Sequence, residues 1–157
     1  MIDSDDIEQM LDDLREFPGY LRELIAGCED AILVRAAPDG GWGAVEVFCH
    51  LRDIEELYVE RVGRILTEDE PFMPAVDESL WPIEREYDKQ QPRVALDEFA
   101  RQRSHFVELL NDLDAPRWHR RGHHAELGDQ TVLWCAAHAA EHDATHRRQL
   151  EELLQHD

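Results

Sequence analysis

The chain reads as an all-α protein, a four-helix bundle with a long crossover connection between its second and third helices. Three observations predict this. Four long stretches carry apolar residues at helical spacing, Gly- and Pro-rich segments separate them, and no stretch sustains strand-like alternation. At 157 residues the chain is long enough to bury a full core, and it is expected to form one domain over 1–157.

The first segment is expected from about Asp5 to Val34, with Pro18 opening its second half as a first-turn proline, until AAPDGG breaks it. The second runs from about Gly43 to Thr67, with apolar residues at 44, 47, 48, 51, 54, 58, 62 and 65. A connection holding Pro71, Pro74 and Pro82 follows. The third starts at Pro92 and ends near Leu113, its stripe built from Leu96, Phe99, Phe106, Leu110 and Leu113. Asp129 or Thr131 then caps the fourth, which reaches about Leu154.

Lys and Arg number 16 against 36 Asp and Glu, a formal charge of −20 spread along the chain. Such a surface repels phosphate backbones and anionic lipids, which argues against nucleic-acid or membrane partners. The one basic cluster, Arg117, His119, Arg120, Arg121, His123 and His124, reads as a loop that offsets nearby acid. The acidic start, MIDSDDIEQML, has no apolar core segment, and no apolar run approaches membrane-spanning length, so the expected location is the cytoplasm. Cys28, Cys49 and Cys135 lie far apart in apolar stretches and read as reduced core thiols.

The histidines carry the chemical signal. His142 and His146 stand four apart in EHDATH, so they share a helix face, and His50 lies far upstream in VEVFCHLRDIEEL. At 100° per residue, His146 and His142 fall on the buried side of the last helix, whereas His138 turns toward solvent. His50 sits where a bundle seam opens, and His105 and His156 read as surface residues. Three neutral imidazoles around one ion would leave a coordination position open, the layout of a catalytic rather than a structural metal site. The competing reading is that each histidine is a satisfied or exposed side chain. Asp143, not Glu, follows His142, so the metalloprotease motif is absent.

At these residues the chain resembles the DinB/YfiT-like superfamily of metal-binding four-helix bundles. The matching features are Trp42, Glu46, His50 and Leu51 opening the second helix, and His142, Asp143, His146, Gln149 and Leu150 in the last. GHHAELGDQT resembles the family's loop, with His124, Gly128 and Thr131 at its marked positions. The resemblance implies that His50, His142 and His146 are a metal triad and that the protein is a homodimer. Three neutral imidazoles suit zinc, nickel or ferrous iron, and ligand type alone does not choose among them; a divalent ion is expected, zinc or nickel ahead of iron. It further implies a metal-dependent enzyme acting on small molecules, either a thiol-dependent S-transferase, taking a low-molecular-weight thiol as co-substrate, or a hydrolase. The alternatives are a non-catalytic metal-binding or stress-related module and an inert acidic bundle.

Several residues have expected supporting roles. Asp53, one turn after His50, is placed to orient that imidazole or to join a solvated acidic face with Glu56 and Glu60. Glu46 is either a supporting or an exposed residue. His124 is the candidate general acid or base, or an auxiliary ligand. Trp42 staples the entry to its helix or lines a pocket, and Trp118 and Trp134 belong to core or pocket. Arg103 interrupts the third stripe between Phe99 and Phe106, so it needs a carboxylate, and Glu55 is the expected partner. The second reading of Arg103 is an anion-binding residue for a carboxylate substrate.

Overall fold

The helical stripes bury as their spacing requires. In the computed structural model, which describes residues 2–155, Ala44, Val47, Phe48, Leu51, Tyr58, Val62 and Ile65 all lie in the core. The helices are α1 (Ser4–Ile25), α2 (Asp30–Val34), α3 (Ala44–Thr67), α4 (Trp81–Glu84), α5 (Pro92–Leu110), α6 (Ala115–Trp118) and α7 (Val132–Leu154). Three short strands, β1 (Phe72–Met73), β2 (Arg121–His124) and β3 (Gly128–Thr131), complete the fold. His156 lies outside the described residues.

α1, α3, α5 and α7 form the bundle, and their side-chain pairings fix the direction in which each runs relative to its neighbours. Along α3 and α5 the partners advance together: Arg52 reaches Glu98 at 3.7 Å, Glu55 meets Arg103, and the Tyr58 ring lies 5.7 Å from Phe106. The two helices are therefore parallel. α1 runs against α5, since Arg22 pairs with Asp97 while Arg15 reaches Asn111. α7 runs against α3, since His50 meets His146 while Tyr58 faces His138. Parallel neighbours require the connection after α3 to return along that helix, a distance of about 36 Å at 1.5 Å per residue over its 24 residues. The expected crossover is this segment, with α4 and Tyr87 packed along it.

The first segment differs from expectation. It is broken between Ile25 and Asp30 rather than continuous to Val34. Gly27 disfavours helix there, and the Cys28 carbonyl is taken by the Arg93 guanidinium of α5 at 2.6 Å. Pro18 does not open a new helix but is buried inside α1. Lacking an N–H, it leaves the Leu14 carbonyl without its helical partner, and Arg103 donates to that oxygen at 2.9 Å instead. A distant side chain thus satisfies what the local sequence left open.

Arg103 is 2% exposed and uses every donor it has. Nε and Nη2 donate to Glu55 (2.5 and 3.1 Å), and Nη1 and Nη2 to Asp143 (2.7 and 2.8 Å). The Glu55 partnership expected from the stripe is present, and Asp143 is a second carboxylate that helical spacing did not reveal. With its guanidinium saturated, Arg103 is not available to an anionic ligand. Burial pushes the carboxyls of Glu55 and Asp143 up from their usual range, against the pull of the guanidinium.

A small three-stranded sheet accompanies the bundle. β1 pairs parallel with β2, and β2 antiparallel with β3. Strands of two and four residues are too short to show alternation. The β1–β2 approach is tight, and a Cβ on Gly122 would come within 3.0 Å of the Pro71 carbonyl. The basic cluster runs from α6 into β2, and its arginines are engaged locally: Arg117 pairs with Asp114, Arg120 donates to the carbonyls of Ile65 and Glu68, and Arg121 pairs with Glu70. α5 ends at Leu110 rather than Leu113, because Asp112 adopts a left-handed φ of 59°. Asp129 lies in β3, and Thr131 is the cap of α7, accepting from the Trp134 N–H at 3.0 Å.

No helix among the described residues is long and apolar enough to cross a membrane.

Candidate metal centre

Two helices supply the site. α3 starts at a sharp entry where Gly43 is required: a Cβ there would lie 2.0 Å from the Arg35 carbonyl oxygen. Glu46 Oε1 accepts from the Gly43 N–H at 3.2 Å, so Glu46 caps the helix and does not support His50 directly. Two turns in, His50 points into the seam between α3 and α7, with the Trp42 ring 5.1 Å from its own. Trp42 packs on the core and covers one side of the His50 ring, and the pocket it lines is a separate one, formed with Pro38, Gln149 and Leu153.

α7 presents His142 and His146 on the facing side. His50 Nε2 lies 2.9 Å from His142 Nε2, and His146 Nε2 lies 3.0 Å from the same atom. Three imidazole nitrogens, all within 4.8 Å of one another, converge on one point. Tetrahedral zinc–nitrogen bonds of about 2.0–2.1 Å would set the nitrogens about 3.3 Å apart, so the two close pairs, both on His142, need to part by only a few tenths of an ångström. The donor set fits a divalent ion, with at least one coordination position left for a non-protein ligand. His146 Nδ1 faces Gln149 Oε1 at 2.7 Å, which places the ring proton on Nδ1 and leaves the Nε2 lone pair aimed at the centre.

Electrostatics keep the rings in their ligating form. Burial, then the neighbouring His146, pushes the His50 pKa down to about 4. Burial, then His146 and His50, takes His142 down to about 3. Burial also lowers His146, partly offset by Gln149. All three are neutral at physiological pH, as metal ligation requires.

Other candidates fall elsewhere. Asp53 does not orient His50. It is buried and bonded to Arg52 Nε at 2.8 Å, Arg85 at 3.0 Å and the Tyr87 hydroxyl. Burial works to raise its pKa, and those bonds outweigh it and hold the carboxyl below its usual range. Asp143 points away from the histidines toward Arg103. His138 is half-buried rather than solvent-facing, edge-on to the exposed Trp134 ring at 4.7 Å and outside the triad. Trp118 is core. His105 is exposed, as expected. Cys49 and Cys135 are buried free thiols, each pushed up to about 11 by burial, and Cys28 is half-buried and free.

A cavity of about 290 Å³ lies between the triad and the sheet, with His50, His142 and His124 on its walls. A larger groove, about 770 Å³, runs between α3 and α5 beside Arg52 and Glu108 and contains none of the triad. His124 is buried, and its Nδ1 accepts from the backbone N–H groups of Glu126 and Leu127, both at 3.1 Å. With Nδ1 so engaged, the ring proton sits on Nε2, and His124 faces a ligand as a donor rather than as a base.

Sequence reading missed the role of Gln149 and the cavity residues Tyr58, Arg61 and Gln130. A signal existed for the first three. Gln149 follows His146 by one turn, and positions 50, 54, 57, 58 and 61 form one stripe of α3. Gln130 has no such signal, because its place depends on strand pairing. Gln149→Leu is expected to weaken zinc binding about 10- to 100-fold while the helix content stays unchanged. Competition against a chromogenic chelator reads this directly, and unaltered affinity would show that the Gln149 contact does not tune the site.

A model described as the DinB superfamily matches residues 13–150. A Geobacillus thermodenitrificans protein named "Putative metal-dependent hydrolase" is 35% identical over 78 residues, 50% of this chain and 44% of that protein. One from Oceanobacillus iheyensis, "Putative metal-dependent hydrolase OB0413", is 25% identical over 80 residues, 51% of this chain and 46% of that one. The matches thus span under half the length of these curated relatives. Among solved structures, YfiT from Bacillus subtilis, described as "a probable metal-dependent hydrolase with an unusual four-helix bundle topology", superimposes with a TM-score of 0.90. It shares 22% identity, over 99% of this chain and 90% of that one, and the likeness is one of fold.

Proposed function

The chain belongs to the DinB superfamily, and on that footing we propose that it is a divalent-metal-dependent hydrolase of small molecules, with His50, His142 and His146 as ligands. The observation that carries this reading is the convergence of three neutral Nε2 atoms at the wall of a cavity. The metal-dependent hydrolase names of the relatives agree with it. A divalent ion held there supplies Lewis acidity, polarising a carbonyl and making water nucleophilic near neutral pH. The chain's own residues do the rest. Gln149 fixes the His146 tautomer, and Trp42 packs on His50 and limits solvent on that side. His124 offers an Nε2–H to an oxygen that gains negative charge, the role of an oxyanion donor.

S-transfer from a small thiol is the second reading, since the same open position would also ionise a thiol. That thiol comes from a co-substrate, because burial holds Cys49 and Cys135 protonated and Cys28 lies outside the cavity beside the triad.

The test uses untagged protein loaded in turn with zinc, nickel and ferrous iron. We expect one bound ion per chain, metal-dependent hydrolysis of activated esters or amides, and a fall in rate of at least a hundredfold in His142→Ala. Equal metal content in wild type and His50→Ala/His142→Ala would end the triad assignment. Metal binding without turnover of any ester, amide or thiol acceptor would leave a binding module.

A further inference from the structure

The cavity beside the triad holds more unsatisfied polarity than its size requires. Gln130 is 2% exposed, and neither its amide oxygen nor its amide nitrogen has a hydrogen-bond partner. His138 Nδ1 is likewise buried and unpartnered. The Tyr58 hydroxyl makes no hydrogen bond to any described residue, although its ring packs on Phe106 and faces His138. Arg61 is half-buried and forms no ion pair or hydrogen bond with any described residue. All four line the same cavity as His50 and His142.

The Gln130 amide and His138 Nδ1 are costly unless something occupies the space, whereas Arg61 and the Tyr58 hydroxyl are open to a ligand that enters it. A buried amide without partners destabilises the fold, because the water it gave up is not replaced. Arg101 and Arg148 also make no ion pair with any described residue, but both are exposed, whereas Arg61 is half-buried on the cavity wall. Glu78 and Glu126 stand at the exposed rim of the cavity, yet neither is within ion-pair distance of Arg61. Geometry sets the shape of an occupant. Arg61 follows His50 by three turns of α3, so their Cα atoms are about 16 Å apart along one face. After the reach of an arginine side chain, its charge lies on the order of 10 Å from the histidines.

We propose that this cavity is the recognition site for an elongated small molecule that ends in a carboxylate, bound by Arg61, and carries an amide group paired to Gln130. An amide offers a donor and an acceptor side by side, the complement of the Gln130 side chain. Tyr58 and His138 take the remaining polar positions along the chain of the ligand. The far end of the molecule reaches the triad. That this end is the one that reacts rests on the hydrolytic reading above, whereas the binding does not.

The probe is 4-acetamidobutanoate, with its methyl ester (no charge) and octanoate (no amide) as controls. Calorimetry is run on metal-free and zinc-loaded full-length protein. The acid is expected to bind in both states, at least tenfold tighter than the ester. Arg61→Met removes that preference and Arg61→Lys retains part of it. Gln130→Leu weakens the acetamido acid about tenfold and leaves octanoate unchanged. Thermal melts of each variant check that the fold is intact. Equal binding of acid and ester, an unaltered preference in Arg61→Met, or no binding of the acid by wild type would overturn the proposal. A protein that hydrolyses neutral esters without this charge preference loses only the present inference. One that shows the preference without hydrolysing anything loses only the hydrolytic reading.

Discussion

Arg103→Met is expected to destabilise the protein by about 3–5 kcal/mol, the range for breaking a buried ion pair by removal of one partner. Three groups lose their partner at once. Glu55 and Asp143 are left as buried carboxyls, and the Leu14 carbonyl, already without a helical bond because of Pro18, is left bare. The carboxyls will protonate instead of remaining charged, which limits the loss. Without the guanidinium the two carboxyls sit further above their usual range, so the deficit against wild type should shrink as the pH falls. Urea unfolding at pH 7.5 and 5.5 measures both effects. A loss under 1 kcal/mol would mean that the cluster is not what joins α1, α3, α5 and α7. A variant with Arg103→Met, Glu55→Leu and Asp143→Leu should regain much of the loss, because apolar side chains of similar volume can replace a buried ionic cluster.

Acid is expected to weaken the metal-free protein across the window set by its histidines. The folded pKa values of His50 and His142 lie near 4 and near 3, below the ordinary value of 6.5. Between about 6.5 and about 4 the unfolded chain therefore binds more protons than the fold. The stability that neutral burial provides is complete above 6.5 and is lost as the pH falls through this window. Zinc at a hundredfold excess over its Kd should add about 2.7 kcal/mol at pH 7.5. That increment should vanish in His50→Ala/His142→Ala, whose stability should also vary less with pH. Chemical denaturation with and without zinc at pH 7.5, 6.0 and 5.0 reads both. A zinc increment that survives in the double variant would place the ion elsewhere, and an unchanged pH slope would remove the histidines as its cause.

The central features of the site were legible in the sequence because they are periodic. His142 and His146 share a face through their spacing, and His50 opens the facing seam, so a helical wheel alone brings the rings toward one another. Arg103 announced its need for a carboxylate by interrupting an apolar stripe. Thr131 showed itself as a cap by residue type. The four main helices followed from punctuation, although Gly27 and Asp112 shortened two of them. What remained hidden follows no period. β1 and β2 pair across about fifty residues, and their length gives no alternation to read. Asp53 lies one turn from His50, yet Arg52, Arg85 and Tyr87 draw it the other way.

The amino-acid sequence by itself determined which side chains face inward, because a helix converts spacing into direction at a fixed angle per residue. That was enough for the bundle and for three imidazoles able to meet. Only the tertiary structure decided which inward groups touch. It gave Arg103 a second carboxylate, supplied the Leu14 carbonyl with a donor from another helix, and left Arg61 and Gln130 without partners beside the histidines. The physical reason is that burial direction is a local property of a helix. Satisfying a buried charge or amide depends on groups brought from distant parts of the chain, and only packing chooses them.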